Sequence, residues 1–190
     1  MTRAIVHQAR SERGVSLIDT MVTLSVLGIV ASMATMQVTT VRRGLAGDGA
    51  MRLVMAQLTT AREMAITQRR NMEIQFVGNN WVQIVRNEVP TGTTVVGNVA
   101  MEGNMRYSLV TGVPDTPDGF GNSTAIAFNG AAKIMFGPNG ALIDNNGAPV
   151  NGTVFLSFAG LAESGRAVTV MGSIGRVRGW RWNGRAWIRV

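Results

Sequence analysis

The chain has 190 residues, no cysteine and one histidine, His7, so everything after residue 7 lacks the thiols and imidazoles that disulfide frameworks, Cys-His or Ser-His-Asp catalysis and most zinc sites need. Neither an enzyme nor a cofactor is expected. The net charge of +7 is unevenly placed, because residues 166–190 hold six arginines and no acid, which points to a localised anionic partner.

The first element is the run 15–36, in which Asp19 is the only charged side chain. About 22 helical residues reach ~33 Å, enough for a hydrocarbon core of ~30 Å. Arg3, Arg10 and Arg13 precede the run, and the positive-inside rule keeps that flank cytoplasmic. Everything after residue 36 is then expected beyond the membrane. The run lacks a clear small-residue cleavage site at its end, and the boundary that stands out lies before it, at Gly14. A carboxylate in hydrocarbon costs about 2.5–3.5 kcal/mol, so Asp19 either has a partner or snorkels to headgroup water.

The basic stretch ending in Gly14, followed by Val15-Ser16-Leu17-Ile18-Asp19 and an apolar helix, resembles the type IV pilin and pseudopilin class. Phe usually stands there in place of Val15, and Glu in place of Asp19. The resemblance implies a leader, residues 1–14, cut after Gly14 by a prepilin peptidase, and N-methylation of Val15. It also implies a helix, residues 15–43, that waits in the inner membrane before packing against other pilins or pseudopilins in a fibre. Asp19 would pair there with the new amino group of Val15, in its own or a neighbouring subunit, and set the stagger of packed helices.

Three glycines within residues 44–49 predict a kink or break, with Asp48 able to cap a restart. Met51, Val54, Met55, Leu58, Ala61 and Ala65 then fall on one helical face that should lie on a sheet. Residues 72–77 and 81–86 alternate about Asn79-Asn80, which predicts a hairpin. The Ala-rich helix ending in Arg69-Arg70 and passing into this strand resembles the GspH/FimT group of minor pilins and pseudopilins, as does the Phe136-Gly-Pro-Asn-Gly140 turn. Further short strands are expected at 94–96, 105–110, 125–128, 133–136, 154–158 and 167–171, with a loop at 112–119. Asp115, Asp118 and Asp144 are read as turn residues, since the spacing of a calcium loop is missing. The sum is an α+β head over 44–190: one long helix on a predominantly antiparallel sheet.

The tail, residues 173–190, carries three of the four tryptophans and five arginines. Asn183-Gly184 predicts a two-residue hairpin turn pairing Trp182 with Arg185, Trp180 with Trp187 and Arg178 with Arg189, which places all six on one cationic-aromatic face. Arginine neutralises phosphate, and open indoles stack on bases. Gly175-Arg176-Val177-Arg178 is similar to the GRxR signature of FimT-like pilins that take up DNA in natural transformation. That resemblance implies phosphate contacts by Arg176 and Arg178, with Gly175 admitting the backbone; Arg181, Arg185, Arg189, Trp180, Trp182 and Trp187 join the candidate DNA site on physical grounds alone. The other readings are a GspH-like pseudopilin of a type II secretion system, meeting sibling pseudopilins or secreted protein, and a purely structural hairpin of paired tryptophans. The location expected is an inner-membrane single pass with a periplasmic head, then the pilus or cell surface.

Overall fold

A computed structural model describes residues 16–190, apart from the side chains of residues 34–40. The proposed leader, Gly14 and Val15 lie outside the described residues. The chain divides into two compact units, Met1–Thr39 and Thr40–Val190. One helix, α1 (Leu17–Gln68), begins in the first and ends in the second.

In the first unit Leu17, Ile18, Leu24, Leu27 and Met33 are all exposed. The hydroxyls of Thr20, Thr23 and Ser25 donate to the carbonyls of Leu17, Asp19 and Met21 at 2.7, 2.9 and 2.8 Å, so the helix satisfies its own polar side chains. Among the described residues, no helix is long and apolar enough to cross a membrane.

The predicted break at 44–49 is absent, since α1 continues through all three glycines. The reason is a buried arginine whose partner in the helix the spacing does not reveal. Arg166, 2% exposed, donates from Nε to Asp48 Oδ1 at 2.7 Å and from Nη2 to the Gly44 carbonyl at 3.0 Å. Asp48 therefore serves as an ion-pair partner in mid-helix and not as a cap. At Gly47 an added Cβ would lie 3.1 Å from the Ser164 carbonyl oxygen, so glycine here gives close approach to the short 3-10 turn Ala162–Ser164 that leads to Arg166.

The second unit holds eleven strands in two antiparallel sheets. In the first, β1 (Met72–Val77) pairs with β2 (Trp81–Asn87), which pairs with β3 (Thr93–Ala100). The short strands β4 (Arg106–Tyr107) and β5 (Ile126–Ala127) belong to the second sheet, whereas β6 (Ile134–Phe136) and β7 (Leu142–Ile143) complete the first. The second continues through β8 (Gly152–Ser157), β9 (Arg166–Met171), β10 (Arg176–Trp182) and β11 (Trp187–Arg189), with β4 and β5 both on β8. Met51, Val54, Leu58, Ala61 and Ala65 of α1 are fully buried in one core with Met72, Ile74, Ile84 and Phe136 of the first sheet and Val154, Leu156, Val168 and Val170 of the second. The predicted α+β fold and the helical face are as the periodicity implied. β7, only two residues long, had no pattern to reveal it.

Candidate nucleic-acid interface

Alternation along β8 to β10 gives the second sheet two different faces. Val154, Leu156, Val168, Val170 and Val177 point to the helix side, and Gly179 lies there as well, where a Cβ would meet the sulfurs of Met55 and Met51 at 2.7 and 3.0 Å. Phe155, Ala167, Trp180, Trp182 and Trp187 occupy the opposite face and form a second core, against which Leu109 and Val113 pack.

The terminal hairpin forms, but in a different register from the predicted one. Trp182 pairs with Trp187, Arg181 with Ile188 and Trp180 with Arg189. Asn183 Oδ1 accepts from the backbone N–H groups of Arg185 and Ala186 at 2.9 and 2.8 Å, which closes a four-residue loop in place of a two-residue turn. The shift is two residues, so each tryptophan keeps its face.

That face is closed. Trp180, Trp182 and Trp187 retain 7, 8 and 9% of their surface. The Trp182 and Trp187 rings meet edge-on at 5.4 Å; the Trp187 indole N–H donates to the Pro114 carbonyl at 2.8 Å, and that of Trp180 to Thr169 Oγ1 at 3.0 Å. The expected open stacking platform is thus corrected to a packed core, because Leu109, from the stretch read as a strand, and Val113 and Pro114, from the stretch read as a loop, lie over the sheet. Burial of three indoles beside apolar neighbours is the stronger tendency where a covering segment exists.

The motif residues divide. Arg176 is exposed, with Nη2 3.5 Å from Met171 Sδ. Arg178 is mostly buried and donates from Nη1 to Asp118 Oδ1 at 2.6 Å. Asp118 also accepts from Thr169 Oγ1, which ties it to the Trp180 indole. Gly175 is buried in the left-handed region, φ 61°, and a Cβ there would fall 2.0 Å from the Gly140 carbonyl oxygen and 2.7 Å from Arg62 Nε. Its glycine serves a contact within the chain: Arg62 Nε donates to that same carbonyl at 3.0 Å.

Arg181, Arg185 and Arg189 are exposed, and among the described residues neither they nor Arg176 has an ion pair. They do not share one face. Arg181 lies opposite Ile188, Arg189 lies opposite Trp180, and Arg185 sits in the loop. Of the six arginines in residues 166–190, Arg166 and Arg178 are neutralised internally and four border solvent. Asp118 was the residue that sequence reasoning missed. The available signal was the pair of acids, Asp115 and Asp118, in a loop rich in Gly and Pro, in a chain whose tail has no acid of its own. Among the described residues, no group of His, Asp or Glu side chains could hold a metal.

A long helix on antiparallel sheets, closed by a basic terminal hairpin, defines an α+β head. The family described as type II transport protein GspH matches residues 50–174, and the chain belongs to it. The matched span ends before Gly175, so it leaves out nearly all of the basic hairpin. No curated protein and no solved structure matches the chain. Membership implies a structural subunit that meets other pilins or pseudopilins in a fibre.

Proposed function

We propose that the chain is a minor pilin of the FimT kind that captures extracellular DNA for uptake in natural transformation. In this reading a prepilin peptidase cuts after Gly14, Val15 is methylated, and the segment 15–36 holds the protein in the inner membrane before assembly. Asp19 then pairs with a Val15 amino group as the helix enters the fibre, and the head reaches the cell surface. The observation that supports the reading best is the exposure of Arg176, Arg181, Arg185 and Arg189 around one hairpin with no acid paired to them among the described residues. With the indoles buried, binding rests on phosphate neutralisation, so affinity falls steeply with salt and depends little on base sequence.

The test is fluorescence anisotropy of full-length protein in mild detergent with a labelled 30-mer across a salt series. Replacing Arg181, Arg185 and Arg189 by alanine should weaken binding and flatten the slope of log K against log salt, by about 0.9 for each duplex phosphate no longer neutralised. An unchanged affinity in that variant overturns the reading. The second reading, a type II secretion pseudopilin that meets siblings or secreted protein, is favoured by one observation: Asp118 already occupies one of the two motif arginines.

A further inference from the structure

Asp118 is the one acid that meets the basic hairpin from another part of the chain among the described ion pairs. Its carboxylate touches Arg178 through Nη1 alone, and Arg178 Nε is buried with no hydrogen-bond partner. A guanidinium offers Nε and Nη as a fork that fits two oxygens of one phosphate, so the present pairing uses half of what the group can give. Arg176 and Arg189 lie on the same face of the sheet as Arg178, one two residues before it on β10 and the other across from Trp180 on β11. Arg176 and Arg189 thus lie on the same side of the sheet as the Asp118–Arg178 pair.

We propose that Asp118 is an internal stand-in for a phosphodiester: it holds Arg178 in the resting head, and a polyanion binds by taking its place. This rests on the DNA reading above. The exchange swaps one anion for another on Arg178, and the gain comes from what a polyanion adds and a carboxylate lacks, a second oxygen for Nε and further charges for Arg176 and Arg189. Asp118 thus weakens binding of every anion, and penalises small ones most, since a single phosphate cannot reach the flanking arginines. It acts as an affinity-setting residue and not as a contact.

The decisive measurement is the same anisotropy titration on full-length protein in detergent, with the 30-mer as probe. Asp118→Asn should bind about tenfold more tightly, the size of one charge-assisted hydrogen bond set free. The gain should vanish in Asp118→Asn with Arg178→Ala, because it passes through that guanidinium. Glu163→Gln removes the same charge at an exposed site and should change little. A readout on the unmutated protein guards against misfolding of the variants: the Arg178 Nε–H resonance, assigned by its loss in Arg178→Lys, should shift when the 30-mer is added. No gain in Asp118→Asn, a gain that survives loss of Arg178, an equal gain in Glu163→Gln or an unmoved Nε–H resonance each overturns the proposal. If Arg176→Ala still weakens binding in that case, the DNA reading stands without it; if Arg176→Ala and the triple arginine variant both bind as before, the DNA reading falls first.

Discussion

Single residues carry much of this head, and their roles follow from distance more than from type. Gly175 is read from sequence as part of a ligand motif, yet its lack of a side chain is needed by Gly140 and Arg62. Gly175→Ala must both adopt a positive φ and displace backbone 2.0 Å away, so it should destabilise the fold by about 2 kcal/mol or more, read as a lower midpoint in urea. A variant that melts like the parent would show that the surrounding backbone yields. Arg166 makes the complementary case. It is buried with its guanidinium bonded to Asp48 and to the carbonyls of Gly44, Glu163 and Gly165. Removing it leaves Asp48 without its cation and the glycine-rich turn without its tie; Arg166→Ala should cost about 3–5 kcal/mol, with lost helicity by circular dichroism. Nothing in the sequence spacing links residues 48 and 166, which is why the helix reads as breakable in sequence and is continuous in the fold.

At the scale of elements, legibility followed periodicity. The α1 face and the strands β1, β2, β6, β8 and β9 were readable because alternation or a 3.6-residue spacing is imposed by a buried face. The hairpin of β10 and β11 was readable in existence and in which tryptophans share a side, but not in its register, in the place of Arg185 or in which side is covered. The covering of that side depends on Leu109, Val113 and Pro114, whose contribution is tertiary. Trp187 shows the consequence: it packs on Phe155 at 6.0 Å and on Trp182, with its N–H given to Pro114. Trp187→Ala should therefore lower stability by about 3–5 kcal/mol, as a core truncation does. If instead the fold is unaffected and DNA affinity alone drops, the ring was a binding surface after all. Tyr107 of β4 gives a second elemental test. Its hydroxyl donates to the Trp81 carbonyl at 2.8 Å, its ring meets Phe76 at 5.4 Å, and burial pushes its phenol above the ordinary tyrosine range. The unfolded chain then loses this proton first, so the contribution of Tyr107 is complete below about pH 10 and is lost as pH rises beyond it. Unfolding followed from pH 8 to 11 should steepen at the alkaline end, and Tyr107→Phe should remove that part of the slope.

For the molecule as a whole, the division at Thr39 and Thr40 makes a claim that can be tested apart from any fibre. The unit from Thr40 contains the complete core, both sheets, the Asp48 to Arg166 pair and every exposed arginine of the hairpin. Nothing that stabilises it or charges its surface has to come from the first unit. A chain beginning at Thr40 should accordingly be monomeric without detergent, unfold in one cooperative step, and bind the 30-mer with the affinity and salt slope of the full-length protein in detergent. The first unit gives no such independence, since the large apolar side chains described in it are exposed and the hydroxyls of Thr20, Thr23 and Ser25 are satisfied within their own helix. If the shortened chain melts without cooperativity, the helix before Thr40 supports the head. If it folds but loses DNA, the anionic partner is held by more than the hairpin, and the charge asymmetry of the sequence has been assigned to the wrong surface.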